Sequence, residues 1–212
     1  MNRYLPHSSP RLFLAIGIWM ICILVGFSLA RRYSNTPGAS AELSSHWPSN
    51  SKLKSDESLY HLLVFLLPKC PCSRATLGEL ENLMPKLIQK AKVQVIFSVP
   101  EGATAYENEW NDTELVRKAK SIPGVAVTID NNGNETRTFS AKTSGQTFLY
   151  NSKGDLLFQG GITASRGHMG DSLGKTAILN LVNGTSNSVS KSAVFGCALH
   201  NPSHKIKREN NL

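Results

Sequence analysis

The sequence has few cysteines and no excess charge outside its two ends. Its 212 residues include four cysteines, too few for a small fold built on disulfide bonds. The net charge of +8 comes from residues 1–54 and 185–212, whereas residues 55–184 carry thirteen basic and thirteen acidic side chains. A neutral central region lacks the positive surface that binds nucleic acids, so we predict no nucleic-acid partner.

Charge is absent from "LFLAIGIWMICILVGFSLA", the nineteen residues 12–30. A helix of this length spans roughly 28 Å, close to the thickness of the hydrocarbon core of a bilayer. We predict a short basic N-terminus over residues 1–11 and one transmembrane signal anchor over residues 12–30, which leaves the rest of the chain outside the cytoplasm. Ser28 and Ala30 also resemble a small-x-small cleavage site, and in that alternative the segment is removed.

The remaining chain is predicted to contain a linker, a domain and a tail. Residues 31–57 are rich in Ser, Pro, Asn and Gly and predict a flexible linker. Between this linker and the tail, apolar runs alternate with helical patterns and no internal repeat is found, which predicts an α/β domain over residues 58–184 with helices on both faces of one sheet. Residues 185–212 form a basic polar tail whose one apolar patch, "AVFGCAL", contains Cys197.

Periodicity and turn signals place the individual elements of the domain. Asn111 with Glu114 forms a capping pattern at the start of the second helix. The predicted strands cover residues 61–67, 93–99 and 125–130 and a hairpin around Ser152-Lys153-Gly154, and the predicted helices follow Cys70 and cover 111–122 and 174–184.

Two cysteines lie between the first buried strand and the first helix of the domain, in the sequence "KCPCSRATLGEL". With Cys70 at the N-cap, Pro71 falls at the first helical position, where proline is favoured, and Cys72 at the second. Unpaired backbone N–H groups and the positive end of the helix dipole stabilise a thiolate there and lower the pKa of the thiol. Thiolates attack disulfides and bind soft metals, and the remaining alternative is that both cysteines only pack.

Only one residue separates Cys70 from Cys72, so a disulfide between them is tight and easily reduced. The two thiolates can instead hold a soft ion such as Cu(I). Cys197 offers a second resolving thiol or a third ligand if the apolar patch of the tail docks on the domain. The alternative is a disordered tail with an incidental cysteine.

The glycine-rich stretch "GGITASRGHMGDSLGKT", residues 160–176, lacks the spacing of a phosphate-binding loop. Met169 stands where the first glycine of that motif is required, so we predict no nucleotide partner. Two interpretations stay open for this loop. Arg166, His168 and Asp171 form a polar cluster near the thiols, or the loop only supplies Asp171 or Ser172 as a cap for the last helix.

Residues 58–184 resemble the thioredoxin-like superfamily. The matching parts are the buried strand leading into "CPCSRATLGEL", the proline-interrupted helix, "VQVIFSV" and "SGQTFLYNSKGDLLFQGGI". More narrowly, "CPCSRATLGEL", "SGQTFLY", "GGITASRGHMGD" and "VFGCAL" look like the small group of membrane-tethered bacterial envelope proteins named RedB. The chain departs from the superfamily in having one residue between its cysteines, where two are usual, and in having Gln146 at the place we assign to the cis-proline. The second departure makes metal binding more plausible.

The resemblance implies a single-pass protein of the bacterial inner membrane with a periplasmic thioredoxin-like domain that exchanges disulfides with a protein partner and needs no cofactor. Carried over, Cys70 is the attacking sulfur and Cys72 its partner. Independently of the resemblance, we expect Cys197 to act as a second resolving thiol. An alternative is a binding module that holds Cu(I) with Cys70, Cys72 and either Cys197 or His168. A third is a protein that keeps the fold alone and binds a protein partner.

Overall fold

The computed structural model describes residues 10–41, 45–54, 58–100, 107–185 and 189–200. The chain divides into two compact units, Met1–Asn35 and Thr36–Leu212. The first unit contains α1, Pro10–Ser34, a helix of 25 residues with a mean hydropathy of 2.6 over an 18-residue window, which makes it long and apolar enough to cross a membrane. The helix therefore extends the predicted span of 12–30 at both ends.

The second unit is built on one mixed sheet of five strands in the order β3-β2-β1-β4-β5. Strands β1, β2 and β3 run parallel, and β4 pairs antiparallel with both β1 and β5. The segment that contains Cys70 and Cys72 follows the central strand β1, as the apolar run predicted. The bounds are Tyr60–Leu66 for β1, Ala91–Val99 for β2, Val125–Asn131 for β3, Gln146–Tyr150 for β4 and Leu156–Gly160 for β5.

Five helices accompany this sheet: α2 Pro71–Leu87, α3 Glu107–Asn111, α4 Glu114–Ser121, α5 Asn134–Thr138 and α6 Leu173–Val182. The two five-residue helices α3 and α5 were not predicted, because they are too short for an apolar period. The predicted cap at Asn111 is wrong, since Asn111 ends α3. Thr113 caps α4 instead, with extended backbone and a hydroxyl that accepts from the Val116 N–H at 3.3 Å.

The alternation of side chains along β1 explains why its apolar run is continuous. Leu62, Val64 and Leu66 enter one core together with apolar residues of α2, α4 and α6. Leu63 and Phe65 enter a second core on the opposite face, and each fully buried side chain of this size contributes about 1.5–3 kcal/mol. The second core is rich in aromatic side chains: Phe65, Phe139, Phe148 and Tyr150, with Trp47 packed against it.

Residues 45–54 of the predicted linker and the described part of the tail pack on this domain. Trp47 makes edge contacts with Tyr150 at 5.0 Å and with Phe139 at 5.3 Å between ring centroids. In the tail, Val194 and Leu199 are buried, because these apolar side chains in a polar stretch gain free energy by leaving water. The sheet order and strand directions confirm the predicted thioredoxin-like fold. Residues of the linker and the tail contribute to the second core, on one face of its sheet.

Candidate active site: a centre of three cysteines

The first sulfur of the centre lies where the central strand gives way to a helix. Cys70 is the N-cap of α2, with extended backbone (φ −91°, ψ 119°), and Pro71 follows at the first helical position. The sequence prediction for this turn is thereby confirmed. Cys70 is 3% exposed, and its carbonyl oxygen accepts a hydrogen bond from the Ser73 N–H at 3.0 Å.

The second sulfur is supplied by the tail. The Ser144 N–H donates to the Cys197 carbonyl at 2.8 Å, and the Leu199 N–H donates to the Lys142 carbonyl at 2.8 Å. These bonds seat the tail beside the segment that leads into β4. Gly196 is required next to Cys197, because a Cβ at that position would overlap the Ser144 carbonyl oxygen.

All three domain cysteines converge on one point. The sulfurs of Cys70, Cys72 and Cys197 lie within 4.8 Å of one another, and those of Cys70 and Cys197 are 2.7 Å apart. The four cysteines of the chain are free thiols, and Cys22 belongs to α1 in the first unit. The structure therefore brings the tail cysteine into the centre and makes it the near neighbour of Cys70.

The surroundings of Cys70 favour its ionised form. Burial acts to raise the pKa of the Cys70 thiol, but hydrogen bonds to its sulfur outweigh this effect and leave the pKa below its ordinary value. The Cys197 thiol lowers the pKa of Cys70 most, and the nearby backbone groups of Cys197, Cys72 and Ser73 lower it further. A buried sulfur that is nevertheless readily deprotonated is the property expected of an attacking thiolate.

The other two sulfurs are harder to ionise. Burial is the largest cause that raises the pKa of Cys72, and the charge on Cys70 raises it further. The nearby positive charge of Arg166 partly offsets this increase. Burial and the hydrogen bond to Cys70 raise the pKa of Cys197 to about 12. The expectation that both sulfurs at the helix start have a lowered pKa therefore holds for Cys70 and is wrong for Cys72, because burial and then the charge on Cys70 raise the pKa of Cys72.

Hydroxyl groups join the helix start to the segment before β4. The Ser73 hydroxyl donates to the Leu67 carbonyl at 3.1 Å and lies 2.9 Å from the Ser144 hydroxyl. The Leu67 N–H in turn donates to the Ser144 hydroxyl at 3.0 Å. The same residue, Ser144, also donates its backbone N–H to Cys197, so one segment supports both sides of the centre.

The other predicted site residues have separate positions. His168 is exposed, its Nδ1 lies 2.8 Å from the Arg166 carbonyl oxygen, and within the described residues it is not part of the cysteine group. Asp171 is fully exposed, and Ser172 caps α6 by accepting from the Lys175 N–H at 3.2 Å. Of the predicted polar cluster, Arg166 donates a hydrogen bond to the tail, at the Gly196 carbonyl.

Gln146, the residue placed where the superfamily has its cis-proline, is fully buried at the start of β4. Its side-chain oxygen accepts from the Ala41 N–H at 3.3 Å, so it fixes the linker on the second core. Peptide bonds of the described residues are all trans.

The sequence analysis missed the residues that place the tail. Gly196 and Ser144 belong to no motif, and the glycine next to Cys197 is the one sequence signal that indicates a close backbone approach.

Glu79 was missed as well. It is almost fully buried in α2, accepts from the Gly170 N–H at 2.5 Å and pairs with Lys175 at 2.9 Å. It thus holds the 161–172 loop against the helix that begins at Cys70.

Comparisons with known proteins support the fold and leave the activity open. No protein-family profile matches the chain, and no curated protein matches it. Among solved structures, the chain is similar to the hypothetical protein SMc02350 of Sinorhizobium meliloti 1021, with a TM-score of 0.59 and 17% identity over 76% of this chain and 96% of that one. It is also similar to an uncharacterized conserved protein of Geobacillus kaustophilus, with a TM-score of 0.55 and 16% identity over 80% and 95%.

A third similarity is to the exposed lipoprotein thioredoxin Etrx1 of Streptococcus pneumoniae, with a TM-score of 0.43 and 17% identity over 60% of this chain and 86% of that one. At these identities, the two stronger similarities establish a shared fold and nothing about activity. The chemistry has to be argued from the cysteine centre itself.

Proposed function

We propose that this protein is a membrane-anchored, extracytoplasmic thiol–disulfide exchange protein in which Cys70 is the attacking sulfur. The observation that carries the proposal is a buried sulfur at a helix N-cap, with a lowered pKa and a second sulfur 2.7 Å away. Exchange needs a thiolate and a neighbouring thiol that closes an internal disulfide. Both requirements are met by Cys70 and Cys197.

The proposed reaction runs in two displacement steps. The Cys70 thiolate attacks one sulfur of a partner disulfide, forms a mixed disulfide and releases the other partner sulfur as a thiolate, which takes up a proton. Cys197 then loses its proton and attacks the Cys70 sulfur, so the Cys70–Cys197 bond forms and the second partner sulfur leaves. The protein gives up two electrons and the Cys197 proton, and a proton from solvent completes the partner dithiol; the reverse sequence oxidises a partner dithiol.

Cys197 is a better resolving residue than Cys72 on geometric grounds. It is the sulfur 2.7 Å from Cys70, and a disulfide with Cys72 would have to close across the single residue Pro71. Burial and the contact with Cys70 keep the Cys197 thiol protonated. The negative charge on Cys70 disappears once Cys70 is in a mixed disulfide, which removes one cause that opposes ionisation of Cys197.

The membrane location belongs to the same proposal. Helix α1 has the length and apolarity of a membrane span, and a basic N-terminus precedes it. Together with the resemblance to RedB-named proteins, this supports a bacterial inner-membrane anchor with the cysteine centre on the periplasmic side.

Full-length protein should resist alkaline carbonate extraction, and alkaline phosphatase fused to its C-terminus should be active. Release of the protein by carbonate, or an inactive fusion, would contradict the anchor or its orientation.

A second function is supported by the number of sulfurs in the centre. Three thiol sulfurs within 4.8 Å of one another suit a soft ion such as Cu(I), which three thiolates can hold. In this alternative Cys70, Cys72 and Cys197 are the ligands. His168 lies outside this group, so the copper hypothesis now rests on the cysteines alone.

Single-turnover assays separate the two functions. Reduced full-length protein in detergent micelles should reduce a protein disulfide, and Cys70→Ser should lower the rate to that of the uncatalysed reaction because the thiolate is lost. Cys22→Ser, which removes a thiol from α1, should keep the wild-type rate. If wild type is inactive but binds one equivalent of Cu(I) against a chelator, with all three thiols protected from alkylation, the copper function replaces the exchange function.

A further inference from the structure

We propose that Arg166 is a positioning residue that holds Cys197 beside Cys70 and so makes Cys197, and not Cys72, the disulfide partner. The inference deepens the proposed exchange function and rests on it. The described tail residues around Cys197 form no helix, so other contacts must hold the Cys197 sulfur beside that of Cys70.

Arg166 makes its key contact one residue from Cys197. One guanidinium nitrogen, Nη1, donates to the Gly196 carbonyl, and the other, Nη2, donates to the Thr36 carbonyl at 3.3 Å. The side chain is half-buried, and a planar guanidinium that donates to two carbonyls has little rotational freedom left. Arg166 therefore fastens the linker, its own loop and the tail at one point.

The loop that carries Arg166 is itself fixed to the helix of the reactive cysteine. Gly170 donates its N–H to Glu79 at 2.5 Å, and Lys175 donates to the Gly170 carbonyl at 3.0 Å while pairing with Glu79. Glu79 belongs to α2, which begins just after Cys70. A chain of contacts thus runs from α2 through Glu79, the loop, Arg166 and Gly196 to Cys197, and returns to Cys70.

The tail also has contacts that do not involve Arg166. Its backbone bonds with the linker and with the segment before β4, at Gly38, Lys142 and Ser144, stay in place when the guanidinium is removed. The tail of an Arg166 variant should therefore remain docked, with Cys197 less narrowly positioned. Misplacement of a reacting group by about 1 Å can cost on the order of 100-fold, so a change of 10- to 100-fold is expected.

The test measures which disulfide forms. Full-length Cys22→Ser protein in detergent micelles is equilibrated in glutathione redox buffers, trapped with acid and mapped by mass spectrometry. The Cys70–Cys197 bond should predominate over Cys70–Cys72. Arg166→Met should lower the ratio of the two bonds at least about 10-fold. Arg166→Lys, which keeps the charge but has a single donor nitrogen, should give an intermediate ratio.

The matched control is Arg74→Met, which removes an exposed arginine of α2 that pairs with Glu114. It should leave the ratio unchanged. An unchanged ratio in Arg166→Met, or an equal loss in Arg74→Met, overturns the inference. Arg166→Lys provides the test if Arg166→Met does not fold, and a wild-type ratio in it overturns the inference in that case.

This readout differs from that of the proposed function. The ratio concerns only the protein's own sulfurs in a glutathione buffer, whereas the exchange function concerns attack by Cys70 on a protein disulfide. A wild type that forms Cys70–Cys197 with the expected dependence on Arg166, yet reduces no protein disulfide, refutes the function and keeps the positioning role.

Discussion

The helix start at residues 70–73 and the tail at residues 189–200 bring their sulfurs to the same point by different means. Cys70 is placed by its neighbours in sequence, namely a buried strand, a turn and a proline at the first helical position. Cys197 is placed by residues remote in sequence, including Ser144 and Arg166. The place of Cys70 thus depends on local structure, whereas that of Cys197 depends on long-range contacts. Mutations far from the cysteines should therefore act mainly on the position of Cys197.

The largest effect on stability is expected at Glu79. Glu79→Gln removes the charge that pairs with Lys175 in a buried position and should cost about 3 kcal/mol of unfolding free energy. The loss should be measured by denaturant unfolding of the full-length protein in detergent micelles. Because the 161–172 loop is loosened, the Cys70–Cys197 bond should also become less favourable.

Helix α2 supplies the control for this change. Glu81 lies two residues further on, is exposed and pairs with Lys118, so Glu81→Gln should cost less than about 1 kcal/mol. Equal losses for Glu79→Gln and Glu81→Gln would mean that the buried pair does not fix the loop.

Gly196→Ala tests the close approach of the tail. The added Cβ would overlap the Ser144 carbonyl oxygen, so the tail must shift, at a cost of about 1–3 kcal/mol. The same unfolding assay measures this loss, and disulfide mapping should find less of the Cys70–Cys197 bond. Ala198→Val, which adds carbon to an exposed position on the other side of Cys197, should behave like wild type. A wild-type disulfide pattern in Gly196→Ala would refute the close fit.

Ser73→Ala tests the hydroxyl link between the helix start and the segment before β4. It removes the bonds to the Leu67 carbonyl and the Ser144 hydroxyl and should cost about 1 kcal/mol in the unfolding assay. Ser121→Ala, which removes an exposed hydroxyl bond to the Lys118 carbonyl, is the matched control and should cost less. The reverse order of the two losses would contradict the proposed link.

The most local effect is expected on the ionisation of Cys70. Cys197→Ala removes the thiol that donates to the Cys70 sulfur, so the thiolate loses a stabilising bond and the pKa of Cys70 should rise. The pH midpoint of Cys70 alkylation, measured by mass spectrometry, should then move to higher pH. Cys22→Ala should leave it in place, and a midpoint that stays or falls in Cys197→Ala would contradict the hydrogen-bond explanation.

Most of the fold could be predicted from the sequence because its signals are local. Apolar runs located all five strands, and the proline between two cysteines located the start of α2. The helices α3 and α5 could not be predicted, since five residues carry no recognisable period. The cap of α4 was misplaced because Asn111 and Thr113 are both good capping residues, and the end of α3 decides between them.

The sequence by itself determined where Cys70 lies, because an N-cap position, a proline and the first backbone N–H groups of a helix are all encoded within a few residues. Tertiary structure alone decided that the tail completes the centre and that the Cys197 sulfur lies 2.7 Å from that of Cys70. These outcomes depend on contacts between positions as far as 127 residues apart in the chain. No local sequence pattern predicts these long-range contacts.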